Sequence, residues 1–166
     1  MLTRFAKSGP PLNSRTQGST ESLEATIHQL IPIARAMGIK VVRFDMDVLT
    51  LAAPLANNIN HQMSAFGGSL FSVAALTGWG LLRLKLAALD LQSNTVIADG
   101  DVSYKRPVFD DFTCVCELPE SYPAFTRTLM EKGKSSLILT PTVMVNGEVA
   151  MTFSGRYVVS LVRDRE

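Results

Sequence analysis

Residues 67–89 read GGSLFSVAALTGWGLLRLKLAAL, a stretch in which Leu, Ala and Gly dominate and β-branched residues are few. This composition predicts a helix, which at 1.5 Å per residue would be roughly 34 Å long. Because almost every side of the helix is apolar, it must be buried nearly all round. Its longest apolar stretch, residues 70–82, ends before Arg83 and is shorter than the ~20 residues that a membrane span needs. We therefore predict the central helix of a globular core and no association with membranes.

Most of the remaining chain alternates apolar and polar residues, which is the period of a β-strand. The predicted strands are residues 39–55 (one strand, or two that meet near residues 45–47), 95–104, 112–118, 135–145 and 148–162. Between the last two strands, Asn146 and Gly147 are the strongest available signal for a two-residue hairpin turn. Pro141 predicts an edge position or a bulge in its strand, because proline has no N–H to donate.

Shorter helices are predicted before and after the long one. Residues 21–37 repeat apolar positions at helical spacing, and Gly38 is placed to end that helix. Pro32 within this segment predicts either a kink or a second short helix that begins there. The other predicted segments are residues 121–132 (a short helix), 56–66 (an ordered loop) and 1–19 (a flexible tail ahead of one domain at 20–166).

The order of these elements predicts an α+β fold. A helix that is apolar all round needs a curved antiparallel sheet wrapped around it, since nothing else in a chain of this length can cover it. Such a sheet covers only part of the helix and leaves its own edge strands unpaired. Pairing with a second copy removes both problems, so we expect a symmetric homodimer, with a tetramer as the alternative.

Composition and charge exclude several classes of protein. The 166 residues suffice for one domain, and 46% apolar against 19% charged residues argues against disorder. A net charge of +1 provides no overall attraction to nucleic acid. Cys114 and Cys116 lie on one face of a predicted strand without a metal motif, so we expect buried, reduced thiols, no metal and a cytoplasmic location. The Arg- and Ser-containing tail leaves import into an organelle as the alternative.

The loop that enters the long helix carries the candidate chemistry. Gly67 and Gly68 lie in the first helical turn, where backbone N–H groups have no intrahelical acceptor. Together with the helix dipole, these amides can bind an anion or a developing oxyanion. Asn60 and His61 come shortly before; an Asn amide can hold a carbonyl or a water, and a neutral imidazole can accept a proton. The alternative is structural, with a tight turn at the glycines and loop packing for Asn60 and His61.

The pattern N-H-x-x-x-x-F-G-G-S-L-F at residues 60–71, followed by L-T-G-W-G-L-L at 76–82, resembles the thioesterase family known as the C-terminal domain of YiiD-type proteins. The resemblance covers residues 22–162 and includes D-V-S-Y-K-R-P-V at 101–108, which is similar to the strand after the central helix in many acyl-CoA thioesterases. This family belongs to the hotdog superfamily. The resemblance therefore implies a curved sheet around one helix, an obligate dimer and thioester hydrolase activity.

The resemblance also implies roles for individual residues. Many hotdog thioesterases carry an Asn six residues before a His-Gly-Gly at the helix start, and here that Asn falls on Asn60 and the glycines on Gly67 and Gly68. By similarity, the two glycine amides would polarise the thioester carbonyl. Asn60 would position the carbonyl or the attacking water.

This chain departs from that pattern at two positions. Phe66 stands where the pattern has its His, and Ala75 stands where a catalytic Asp or Glu would lie two turns into the helix. His61 is then the best remaining general base, with Ser64 or Ser72 ordering a water, or the partner chain supplies the base. We expect Phe66, Ser64 and Ser72 to contact the substrate.

The predicted function is hydrolysis of an acyl-CoA or acyl-carrier-protein thioester, with no cofactor beyond the coenzyme A or phosphopantetheine of the substrate. Lys105 and Arg106 would hold the phosphates of that group, or they form a solvated turn. A non-catalytic acyl-thioester binder or structural dimer is the alternative from another class, and Ala75 favours it. A hydratase or dehydratase is a further alternative, which the missing carboxylate disfavours.

Overall fold

The structure, a computed structural model, describes the backbone of residues 14–162 and the side chains of residues 20–162. Its elements in chain order are α1 (Ser14–Leu30), α2 (Pro32–Ala36), β1 (Lys40–Asp45), β2 (Val48–Ala53), a 3-10 turn (Leu55–Asn57), α3 (Gly67–Ala87), β3 (Ser93–Tyr104), β4 (Phe112–Glu117), α4 (Tyr122–Lys132), β5 (Lys134–Leu139), β6 (Thr142–Val145) and β7 (Glu148–Leu161). The strands form one antiparallel sheet in the order β1-β2-β4-β6-β7-β3, and β5 also pairs with β7, beyond the end of β6.

Helix α3 is the central helix, and the predicted α+β architecture is confirmed. It packs against β2, β3, β4, β6 and β7. Val73, Ala74, Leu81 and Leu82 are fully buried in the core between helix and sheet. Among the described residues, α3 alone is long and apolar enough to cross a membrane, a property that buried core helices share. Its apolar side chains are instead covered by the sheet.

One face of α3 is partly open, as expected for a sheet that covers only part of the helix. Phe71, Ser72, Ala75 and Trp79 are only half-buried, and Arg83 is exposed. These positions recur every three or four residues and therefore form one stripe along the helix. The sheet encloses the opposite side, so this stripe is the face that a single chain leaves open.

The first helical segment differs from the prediction at its beginning. Helix α1 begins at Ser14, inside the segment predicted as a tail, while residues 1–13 lie outside the described residues. Pro32 begins α2, which confirms the second short helix rather than a kink. Gly38 follows with φ of +70°, the left-handed conformation expected at a helix end.

The predicted strand at residues 135–145 is wrong as a single element. It is divided into β5 and β6 at Thr140 and Pro141, because proline cannot donate to the ladder. The carbonyl of Pro141 still accepts the N–H of Phe153 at 3.0 Å. The hairpin prediction is confirmed, since Asn146 and Gly147 both have positive φ, at 51° and 80°.

Cys114 and Cys116 confirm the prediction of buried free thiols on one face of a strand. Both cysteine side chains lie on the buried face of β4, and neither forms a disulfide. Burial raises the pKa of the Cys114 thiol to about 12 and raises that of Cys116 still further. Both groups are therefore neutral at physiological pH.

Candidate active site at the start of helix α3

A narrow hairpin leads into α3. At its base, the N–H of Phe66 donates to the carbonyl of Asn58 at 2.7 Å, and near its tip the N–H of Asn60 donates to the carbonyl of Ser64 at 2.8 Å. The buried Asn58 anchors the base, because its amide donates to the carbonyls of Met37 and Pro54. This anchoring fixes the direction in which the chain enters the helix.

The side chain of Asn60 holds the tip of this hairpin together. Its Oδ1 accepts the N–H of Gln62 at 2.8 Å and the N–H of Ser64 at 3.2 Å, while its Nδ2 lies 3.1 Å from the Ser64 Oγ. Asn60 lies two residues beyond the base, roughly 7 Å at 3.3 Å per residue. Within the described residues, no hydrogen bond joins Asn60 or the exposed His61 to the glycines of α3. Ser64 is buried, and its hydroxyl faces Asn60.

The first turn of α3 presents free backbone amides. The Phe66 carbonyl accepts the N–H of Ser69 at 2.9 Å and of Leu70 at 3.2 Å. Across residues 14–162, the N–H groups of Gly67 and Gly68 have no acceptor, and no side chain caps the helix. Since the positive end of the helix dipole lies here, the two amides favour a negatively charged oxygen.

Two aromatic rings frame these amides. The ring of Phe66 lies over Gly68, where an added Cβ would come within 2.4 Å of it. The ring of Tyr104 lies beside Gly67, where an added Cβ would be 3.3 Å away. The Tyr104 hydroxyl donates to the Gly67 carbonyl at 2.9 Å, and the Ser72 hydroxyl donates to the Gly68 carbonyl at 2.8 Å. With both rings in these positions, the backbone at residues 67 and 68 has little room for a side chain.

Helix α3 offers no carboxylate to this site. Ala75 is half-buried, and its carbonyl accepts the hydroxyl of the buried Tyr157 at 3.1 Å. Burial raises the pKa of Tyr157, so this hydroxyl stays protonated and acts as a structural donor. In the described part of the chain, no three His, Cys, Asp or Glu side chains form a cluster that would hold a metal ion.

Lys105 and Arg106 follow β3 and are both exposed. Their N–H groups donate to the carbonyl of Ala150 at 2.8 and 3.3 Å, which holds the backbone against β7. The Arg106 guanidinium is paired with the carboxylate of Glu148. Within the described residues, the ammonium of Lys105 has no partner and is the more available of the two charges.

A groove of about 900 Å³ lies at the other end of α3. Its walls come from α1, the C-terminal half of α3 and the start of β3, and include Trp79, whose ring lies 5.5 Å below the Arg83 guanidinium. Gly67 and Trp79 are twelve residues apart, which is roughly 18 Å along the helix axis. The groove and the free amides are therefore separate features.

Tyr104 is the residue at this site that the sequence prediction did not single out. The segment D-V-S-Y-K-R-P-V contains it, but only as one residue of a predicted strand. Its contact joins residues 37 positions apart. The available signal in the sequence was an aromatic residue at the end of the strand that follows the long helix.

Comparison with known proteins places this geometry in a family. A match to the family described as "Putative thioesterase (yiiD_Cterm)" spans residues 20–161. A solved structure from Shewanella oneidensis, described as a "putative thioesterase", is 28% identical, with 88% of this chain and 99% of that chain covered at a TM-score of 0.80. A protein of unknown function from Chlorobaculum tepidum is also 28% identical, with 87% and 96% covered at a TM-score of 0.81.

A third structure, from Pseudomonas aeruginosa and described as a "Probable Thioesterase", is 21% identical, with 86% and 96% covered at a TM-score of 0.76, and it shows the shared fold alone. The family match covers most of the described residues and includes both α3 and the hairpin at residues 58–66 that leads into it. The chain therefore belongs to the family described as "Putative thioesterase (yiiD_Cterm)" and has the hotdog fold.

Proposed function

We propose that this protein hydrolyses the thioester of an acyl-CoA or an acyl carrier protein at the start of α3. The observation that carries the proposal is the pair of unpaired amides at Gly67 and Gly68 in a chain of this family. Attack on the carbonyl carbon places negative charge on the carbonyl oxygen, and these amides would stabilise it. One such donor is worth about 2.7–4 kcal/mol in acyl-transfer reactions.

We assign the positioning of the carbonyl or the water to Asn60 and the activation of the water to His61. The Asn60 side chain is committed to the hairpin tip, so its contribution includes holding His61 in place. The exposed His61 ring is accessible to a substrate lying against the hairpin. A group of the partner chain is the alternative base, because α3 has no carboxylate. Phe66, Ser64 and Ser72 would border the acyl thioester.

We also propose a homodimer, with a tetramer as the alternative. Strand β3 pairs only with β7 among the described strands, so its outer edge is free to pair. Val96, Val102 and Tyr104 on this strand are exposed in the single chain. Exposed apolar side chains of this kind are typical of a surface that a partner covers. A second chain on this edge would also cover the open stripe of α3.

The nucleotide end of the substrate would lie near Lys105 and Arg106. Lys105 is the better candidate for a phosphate, because the charge of Arg106 is already paired with Glu148. No cofactor is required beyond the coenzyme A or phosphopantetheine that the substrate carries. The reduced thiols at Cys114 and Cys116 favour a cytoplasmic location.

The test is a panel of acyl-CoA and acyl-carrier-protein thioesters of increasing chain length, with release of the free thiol followed by absorbance. We expect hydrolysis of at least one class and a lower kcat/KM in Asn60→Ala and His61→Ala. Gln62→Ala, at the same hairpin tip, is the matched control, since only its backbone N–H contacts Asn60. Unchanged kcat/KM in both site variants for every hydrolysed thioester would show that the residue assignment is wrong.

A second candidate is an acyl-thioester binder without catalysis. Ala75 in place of a carboxylate and the engagement of Asn60 in its own loop favour it. The same panel separates the two functions, because a binder would gain thermal stability from an acyl-CoA without releasing any thiol.

A further inference from the structure

We propose that Tyr104 is a positioning residue that orients and polarises the peptide group between Gly67 and Gly68. The Tyr104 hydroxyl donates to the Gly67 carbonyl at 2.9 Å. This inference rests on the proposed function, since it concerns the amide of Gly68 as a donor to the thioester oxygen.

The Tyr104 hydrogen bond restrains a single peptide unit. The Gly67 carbonyl and the Gly68 N–H belong to the same planar group and point in opposite directions. A hydrogen bond that fixes the carbonyl oxygen therefore fixes the direction of the N–H. The oxygen has two lone pairs, so it can accept the Tyr104 hydroxyl and the helical N–H four residues on.

This peptide group needs external support. Glycine has the broadest backbone freedom of any residue, and two glycines in succession flank the peptide. On the amide side there is no restraint among the described residues, because neither N–H has an acceptor and no side chain caps the helix. On the carbonyl side, Tyr104 at Gly67 and Ser72 at the next carbonyl add restraint to that of the helical hydrogen bonds.

The hydrogen bond also changes the charge on the amide. Donation of a hydrogen bond to a carbonyl polarises its peptide group, and hydrogen bonds linked in a chain strengthen one another by about 10–30% per bond. The Gly68 N–H is thereby a stronger donor than it would be with the helical hydrogen bond to the Gly67 carbonyl alone. The tyrosine ring also lies close to Gly67, since a Cβ added there would be 3.3 Å from it.

The position of Tyr104 connects the two parts of the proposed site. It is the last residue of β3, the strand whose outer edge is free. A single hydroxyl thus links that strand to the first turn of α3. Tyr104 touches the peptide that would bind the substrate, and it acts through that peptide.

The experiment compares Tyr104→Phe with Tyr122→Phe in the full chain. Tyr104→Phe keeps the ring and removes the hydrogen bond, while the Tyr122 hydroxyl is buried without a partner among the described residues and serves as the control. We expect kcat to fall about 2- to 13-fold in Tyr104→Phe, which is one hydrogen bond of about 0.5–1.5 kcal/mol converted at 1.36 kcal/mol per tenfold. KM should stay within about twofold, because a bond that acts on the developing oxyanion affects the transition state.

A second readout is the amide resonance of Gly68 in a ¹H–¹⁵N correlation spectrum of the protein without substrate. It should move in Tyr104→Phe and stay in place in Tyr122→Phe. An unchanged kcat in Tyr104→Phe, a rise in KM alone, or an unmoved Gly68 resonance overturns the role of Tyr104. Absence of turnover in the unaltered protein with every thioester overturns the proposed function and this role together, so the two failures are distinguishable.

Discussion

Replacing Gly68 with Ala tests the amide site by steric means. The new methyl carbon would lie 2.4 Å from the Phe66 ring, so the ring must move. Because 56% of Phe66 is exposed, the ring can swing into solvent at low cost. The change in unfolding free energy should therefore stay within about 1 kcal/mol, the range of the gain in helix propensity from Gly to Ala.

The effect on catalysis should be much larger than the effect on stability. A Cα–Cβ bond in a helix tilts towards the N-terminus, so the methyl group would displace the Phe66 ring at that end of α3. The methyl group and the displaced ring would then crowd the free amides. If the thioester oxygen can no longer reach one amide, the loss is about 2.7–4 kcal/mol, or roughly 10²–10³ in kcat.

The assay is steady-state thioester hydrolysis together with urea denaturation of the same samples. Ser69→Ala is the matched control, because Ser69 lies in the same turn but its N–H is already bonded to Phe66. We expect that control to keep its activity. Wild-type kcat in Gly68→Ala would refute an oxyanion site at these amides, and a loss of stability that parallels the loss of activity would refute the steric reasoning.

Four further predictions concern the core and the sheet edge. Gly78→Ala should lower the free energy of unfolding by about 1–3 kcal/mol, measured from the urea midpoint. The added Cβ would lie 2.3 Å from the hydroxyl of Tyr157, whose ring is fully buried and cannot swing out. An unchanged midpoint would contradict this packing. The thiols of Cys114 and Cys116 should resist a disulfide reagent at pH 8 until urea is added, and full labelling of the folded protein would show that they are accessible. Folding raises the pKa of the Cys114 thiol from 9.0 to about 12. The stability that the neutral thiol contributes is therefore complete below pH 9 and is lost as the pH rises towards 12, and urea midpoints across that pH range measure the loss. Val96→Lys on the free edge of β3 should convert a species of twice the 18.1 kDa chain mass into monomers in sedimentation velocity, and a dimer that persists would place the interface elsewhere.

Much of the fold could be predicted because it depends on local pattern. The predicted helix at residues 67–89 and the observed α3 begin at the same residue and end two residues apart. They agree because Leu and Ala have high helix propensity. Asn146 and Gly147 likewise fix their own turn through positive φ. The division of residues 135–145 into two strands was missed. Pro141 indicates an irregularity in the strand, but it does not show whether the strand stays continuous or is divided there.

The candidate site was predictable only in part. Gly67 and Gly68 could be placed at a helix start from sequence, because the first amides of any helix lack acceptors. Whether those amides are covered depends on the tertiary structure. Here the adjacent Phe66 and the distant Tyr104 border the two N–H groups without accepting a hydrogen bond from either. Asn60 had the expected type and spacing, but its side chain closes the hairpin tip, a use that spacing alone does not distinguish from substrate binding.

The sequence by itself determined the long apolar helix, the glycine pair at its beginning, the final hairpin and the family to which the chain belongs. These properties follow from composition, periodicity and motifs that act over a few residues. Only the tertiary structure decided that Tyr104 reaches the Gly67 carbonyl, that the Arg106 guanidinium pairs with Glu148, and which residues of α3 form its open stripe. These contacts join segments far apart in the chain, so they depend on the register and curvature of the whole sheet, which local preferences do not set.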